Sequence, residues 1–279
     1  MEEAVRAIER IVAEAGGRWG IVIEELGAPG GGTAAGGAFR YALNEHDTFY
    51  AASVIKVPIM AAAYVAADRG RFRFSDRVIL RPEDQVLGSG VLHALTPGTE
   101  WTVADLVTLM IIVSDNTATN MIIDLVGADL IRETMARHGM VRSRFYNKLQ
   151  VIPAELEGRN TITAADVVAL YRAIARGEVV SWDACRRMVE TLKRQQLTHG
   201  IGGLLPEAGD EPVGALPPCE IATKSGSVTG IVHDTGFVFL PGRSFAMAFL
   251  SEGVPDAGRA RRAIAEMARA VIDAASGAG

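Results

Sequence analysis

The chain has 279 residues, with 28 Lys and Arg against 33 Asp and Glu, giving a formal net charge of −5 at pH 7. Hydrophobic residues make up 49% and charged residues 22%, which excludes a mainly disordered chain, and the mild acidity excludes a dedicated nucleic-acid binder, which needs a basic face. Mean hydropathy is +0.19, yet the longest apolar stretch, residues 57–67, falls well short of the ~18 residues a spanning helix needs.

In chain order, Val5, Ile8, Ile11 and Val12 recur at helical spacing and predict a helix over 2–14. This segment lacks the basic start, apolar run and small-residue cleavage site of a signal peptide. The expected location is the cytoplasm, or a secreted or periplasmic one if a leader has been removed. Residues 19–26 read as a strand and 37–43 as its hairpin partner, joined by a Gly/Ala/Pro-rich loop over 27–36. That loop holds Gly30-Gly31-Gly32-Thr33-Ala34-Ala35, a loose match to the dinucleotide fingerprint. A strand follows it where the fingerprint needs a helix, so no nucleotide cofactor is expected. Helical patterns then cover 54–68, 103–113, 117–126, 129–138, 164–175 and 182–193. Strands return over 220–224, 231–240 and 244–251, and a helix over 256–274 closes the chain. A helical block between strands from both chain ends predicts an α/β (α+β) fold with one sheet built from both ends. The expected division is an α/β lobe from 1–48 and 216–279 and a helical lobe over 49–215, with the site in the cleft between.

Two isolated cysteines, Cys185 and Cys219, make neither a disulfide framework nor a zinc site. The five histidines are scattered and no H-E-x-x-H is present, so no metal is expected.

Three short motifs could carry chemistry. Ser53-Val54-Ile55-Lys56 places a hydroxyl and an amine on one face of a helical turn. A lysine among Ala51, Ala52, Ile55, Val57 and Pro58 can lose enough solvation to act as the base that activates the serine. Pro58 removes one helix hydrogen bond there, so an irregular helix start is expected. Ser114-Asp115-Asn116 lies between two apolar helices and offers a hydroxyl and a carboxamide to a ligand; the plainer reading is an N-cap. Lys224-Ser225-Gly226 closes the predicted strand over 220–224. The Lys224 cation and Ser225 hydroxyl can grip a carboxylate. Gly226 admits a close approach, and the Ser227 N–H can face a developing oxyanion; the plainer reading is a strand-end turn. Each motif alone is weak, since roughly one S-x-x-K is expected by chance in a chain of this size. The ordered trio is far less frequent.

This set, S-x-x-K then S-D-N then K-[ST]-G, resembles the penicillin-recognising serine enzymes, and class A β-lactamases most closely. The likeness extends over the N-terminal helix and hairpin, residues 102–127 and 201–206, and the final strands. It implies a two-lobed β-lactamase/transpeptidase-like fold with an antiparallel five-stranded sheet flanked by helices, plus an all-α lobe. It also implies roles. Ser53 would be the acylated nucleophile, Lys56 its base, and Ser114 the relay to the leaving nitrogen. Asn116 would bind the acyl-amide side chain, and Lys224 and Ser225 the carboxylate. The N–H groups of Ser53 and Ser227 would form the oxyanion hole. No cofactor is implied. The expected partner is a small molecule with a carboxylate, β-lactam or D-Ala-D-Ala-like, bound by a monomer with no nucleic acid or membrane partner.

The chain departs from the family at one point. Class A enzymes carry a glutamate on an Ω-loop, E-x-x-x-N, that activates the deacylating water. Here that position falls on Tyr146 and the asparagine position on Gln150. Residues 143–153 hold no carboxylate, and Glu155 and Glu157 are the nearest acids. Acylation should therefore proceed while deacylation is slow. The alternatives are a D,D-peptidase-like, esterase or amidase enzyme and a non-catalytic penicillin-binding sensor. His233 is expected to line the cleft near the carboxylate site or to lie on the surface. A Ser53/His233/Asp234 triad is disfavoured, because neighbours on a strand face opposite ways.

Overall fold

A computed structural model describes residues 1–27, 39–149, 158–205 and 219–277. The chain starts with α1 (Glu2–Ala15), β1 (Arg18–Leu26), β2 (Arg40–Leu43) and β3 (Phe49–Tyr50). A 3-10 turn, Ala52–Ile55, leads into α2 (Lys56–Asp68), and β4 (Arg77–Ile79) and β5 (Glu100–Thr102) follow. The helices α3 (Val103–Ile112), α4 (Asn116–Val126) and α5 (Ala128–Arg137) come next, then β6 (Thr161–Ile162), α6 (Ala164–Ala175) and α7 (Trp182–Lys193). The last part is β7 (Glu220–Val228), β8 (Ile231–Leu240), β9 (Arg243–Glu252) and α8 (Ala257–Ser276).

The five-stranded sheet runs β2-β1-β9-β8-β7, and its pairs are antiparallel. The first strand of the chain is therefore zipped to the last, from Arg18↔Glu252 to Leu26↔Ser244. Strand alternation splits the interior in two. Ile21, Ile23, Phe245, Met247 and Phe249 pack against α1 and α8. Val22, Ala246, Ala248 and Leu250 face the helices of the middle block. Both faces of β9 are covered, which accounts for its unbroken apolar run Phe245–Leu250.

The helix expected over 54–68 does begin irregularly. Its first turn is 3-10, and the α-helix starts only at Lys56, two residues before Pro58, which has no N–H to donate to Val54. The strand expected to stop at Lys224 continues to Val228, because Ser225, Gly226 and Ser227 stay in register with Asp234, His233 and Val232. The motif thus lies within an edge strand, not at its end. The two-residue strands β3 and β6 pair with each other, as do β4 and β5, and sequence patterning gave no sign of these pairs. The Gly30–Ala35 stretch, Gln150, Glu155 and Glu157 lie outside the described residues.

Candidate active site

Ser53 sits in the 3-10 turn at the head of α2, half-buried. Three contacts fix the chain around it. The Ala51 N–H donates to Asn160 O at 2.8 Å. A His233 ring nitrogen bonds Tyr50 O at 2.8 Å. Gly226 of β7 lies so close that a Cβ there would stand 2.8 Å from Ser53 N and 3.0 Å from Val54 N. Ala52 is held at φ 42°, a conformation that costs an L-residue of order 1 kcal/mol and persists only where its surroundings enforce it.

Lys56 is wholly buried. Its Nζ lies 2.6 Å from Ser114 O, 3.0 Å from Ser114 Oγ and 2.8 Å from Asn116 Oδ1. No acid is among these partners. Burial, with the charge of Lys224 nearby, drives the Lys56 pKa well below that of a free lysine; Asp115 opposes this. Nζ donates to all three, Ser114 O, Ser114 Oγ and Asn116 Oδ1. None of these bonds reaches Ser53 Oγ.

Ser114 is the meeting point of the two lysines. Lys224 Nζ donates to Ser114 Oγ at 3.1 Å and to Ser225 O at 2.7 Å. Lys224 is also fully buried, and burial pushes its ammonium down to about 7 against the opposing pull of Asp234. Ser114 holds φ 56°, uncommon for a serine, at the corner between α3 and α4. Asp115 sets that corner. Its carboxylate accepts the N–H groups of Val91 (2.6 Å), Leu92 (2.8 Å) and Ala118 (2.8 Å). So Asp115 does cap α4, and it also straps the 88–92 segment over the site. Glycines at 88 and 90 make that strap fit, since a Cβ would come within 2.5 Å of Asn116 Nδ2 and 2.3 Å of the Asp115 carboxylate. The Gly88-Ser89-Gly90 run is the signal by which the strap was readable in the sequence.

Ser53, Lys56, Ser114, Asn116, Lys224 and Gly226 are thus brought together, with Ser225 and Ser227 continuing along the edge of β7. His233 does not lie at the surface, and it borders one cavity with Ser225, Gly226 and Ser227. It is buried, its Nδ1 accepts the Ser251 N–H at 3.1 Å, and its Nε2 donates to Tyr50 O. Both nitrogens are spent on backbone, so the ring has no polar group to offer a ligand and cannot serve Ser53 as a base. Burial holds the imidazole neutral, with its pKa lowered to about 4. Asp234 turns to the other side of β8 and accepts the Ile201 N–H at 2.8 Å.

Tyr146 is 46% exposed, and its ring lies against Gly158, where a Cβ would come within 2.8 Å. The neck of its loop is tied by neutral groups. Asn160 Oδ1 accepts the N–H of Tyr146 and Asn147, and Asn160 Nδ2 donates to Asn147 O. Among the described residues of 143–149 and 158–163, none is an acid.

The family model described as "Beta-lactamase enzyme family" matches residues 3–275. A curated relative, a beta-lactamase of Rhodobacter capsulatus, is 27% identical over 214 residues, spanning 75% of this chain and 69% of that protein. The crystal structure of beta-lactamase from Sphaerobacter thermophilus DSM 20745 superposes with a TM-score of 0.85 at 36% identity, covering 99% of this chain and 97% of that one. The structure of PBP-A superposes with a TM-score of 0.82 at 25% identity, with coverage of 99% and 97%. The five-stranded antiparallel sheet with its helices is thus the β-lactamase/transpeptidase-like fold.

Proposed function

The chain belongs to the beta-lactamase enzyme family, and on that premise we propose that it is a serine acyl-transfer hydrolase that opens β-lactam-type cyclic amides through an acyl-enzyme on Ser53. The observation that carries this reading is the shared hydroxyl. Ser114 Oγ lies within hydrogen-bond reach of two buried lysines, and burial drives the pKa of Lys56 well below that of a free lysine.

In the acylation step Lys56 takes the Ser53 proton as Oγ bonds to the amide carbon. The N–H groups of Ser53 and Ser227 hold the oxyanion. The ring C–N bond then breaks, and the proton passes from Lys56 through Ser114 to the leaving nitrogen. Asn116 receives the acyl-amide group, and Lys224 and Ser225 the carboxylate. In the reacting state Lys56 exchanges one Ser114 or Asn116 contact for Ser53 Oγ. Two lobes meet at this cleft, one from 1–48 and 216–279 and one from 49–215.

Hydrolysis of the acyl-enzyme needs an activated water, and on this reading the family's glutamate position falls on Tyr146. The slow step is deacylation. This favours a second reading, a D,D-peptidase-like or esterase/amidase enzyme, or a sensor that keeps its adduct. A point mutant of PBP-A has been captured as an acyl-enzyme complex with penicillin G. Intact-mass measurements over time with a penicillin and a cephalosporin, with Ser53→Ala as control, separate these cases. An adduct on Ser53 that turns over slowly is expected. A persistent adduct supports the second reading, and no adduct at any concentration overturns both. Tyr146→Glu should shorten the adduct lifetime.

A further inference from the structure

Three consecutive residues of β8 each secure a different part of the site. His233 holds Tyr50, three residues before the nucleophile. Thr235 Oγ1 donates to Lys224 O at 3.2 Å and meets the Tyr171 hydroxyl at 3.1 Å. Asp234, between them, is a buried carboxyl that the acyl-transfer steps do not use.

Asp234 is 1% exposed. Its carboxylate accepts the N–H of Ile201 (2.8 Å) and of Thr235 (3.0 Å), both neutral donors. Gly200 is pressed so close that a Cβ would stand 2.3 Å from Oδ2, so the 200–201 turn docks on this one side chain. A carboxylate out of water with only neutral donors calls for a counter-charge. The strand register supplies it. Asp234 lies opposite Ser225 and Thr235 opposite Lys224, so Asp234 and Lys224 sit one register step apart across the ladder, with their side chains on opposite faces of the sheet. Lys224 is equally in need, since its two hydrogen-bond partners, Ser114 Oγ and Ser225 O, are uncharged. The other charged or titratable groups around the pair are Lys56 and Asp115 on the Lys224 side, Tyr171, which feels the Asp234 charge, and Arg261, His199 and His233, which line a 210 Å³ cavity with Asp234 and Ser225. Neither Arg261 nor His199 hydrogen-bonds Asp234 among the described residues.

We propose that Asp234 is a positioning residue of this site, the buried counter-charge that keeps Lys224 an ammonium and the clasp that seats the 200–201 turn behind the K-S-G strand. Its effect on ligands rests on the reading of Lys224 as the group that holds the substrate carboxylate. Each group's charge acts on the other, and burial pushes Lys224 down and Asp234 up, both to about 7. Removing the carboxylate's charge lowers Lys224 further. A drop of one pH unit would cut its charged fraction at pH 7 about fivefold.

The test is ¹³C NMR of the lysine-labelled protein, with Lys224 assigned by its loss in Lys224→Met. In Asp234→Asn the Lys224 midpoint should fall by about one pH unit or more, and an unchanged midpoint overturns the counter-charge. If Asp234→Asn does not fold, the Asp234 carboxyl is titrated in the unaltered chain and in Lys224→Met; its midpoint should rise in the latter, and an unmoved one overturns the proposal. The Ile201 amide should exchange faster in Asp234→Ala, and unchanged protection overturns the clasp. With a penicillin and its uncharged methyl ester, Asp234→Asn should raise KM about fivefold for the anion only. Equal effects on both would sink the recognition consequence. The NMR arms need no turnover, so a failure of the acyl-transfer reading is seen separately.

Discussion

Protonation of His233 should remove a defined part of the protein's stability. The ring is buried and neutral, with Nε2–H donating to Tyr50 O and Nδ1 accepting from Ser251 N. A second ring proton would aim at the Ser251 N–H, donor against donor. Burial therefore lowers the pKa from 6.5 to about 4 in the folded chain, while the unfolded chain keeps the ordinary value. A depressed pKa means that the unfolded state binds the proton first. The contribution is complete above about pH 6.5 and is lost as pH falls toward 4. From those two pKa values, the loss is about 2 kcal/mol by pH 5 and about 3 kcal/mol by pH 4. The assay is urea unfolding at pH 7, 6, 5 and 4 for the chain and for His233→Asn. Asp234 and Lys224 also make stability pH-dependent, but their effects cancel in the difference between the two proteins. The difference should shrink by about 3 kcal/mol from pH 7 to 4. Parallel curves would refute the claim that His233 is a neutral clamp.

Gly226→Ala would set a Cβ 2.8 Å from Ser53 N, a backbone atom that cannot swing aside. Acylation should slow by roughly 100-fold, with a stability loss of about 1–3 kcal/mol, read by adduct formation and by melting; a normal acylation rate would show that the strand and the turn are not in register. Asp115→Ala removes the acceptor of three N–H groups, and should cost about 3 kcal/mol in denaturant unfolding and loosen the 88–92 strap in amide exchange. A loss below about 1 kcal/mol would mean that water replaces the carboxylate.

Local pattern made part of the site legible. Ser53 and Lys56 are one helical turn apart, Ser114 to Asn116 lie at a helix start, and the expected mixed α/β architecture with its five-stranded sheet is the one observed. What the sequence could not show was set by tertiary pairing. Ser225, Gly226 and Ser227 are poor strand formers, yet the β8 ladder holds them extended through Val228. His233 reads as a polar residue that could face a ligand. Only the fold shows that Tyr50 and Ser251, far apart in the chain, take both of its nitrogens. Asp234 owes its place to Gly200, and no spacing rule links the two.

The pairing of β1 with β9 has a consequence for how the protein is made. Arg18 and Glu252 are bonded across 234 positions of sequence. Closing so long a loop comes late in folding, and such topologies fold slowly. On the ribosome, Ser53 and Lys56 emerge long before Lys224, and the sheet cannot close until β9 follows. Until then β1 and β8 present inner edges that other chains could pair with. A chain that stops short of β9 therefore carries Ser53 and Lys56 but no finished site. The arrival of β9 is the step that lets the sheet, and the site along its edge, take shape.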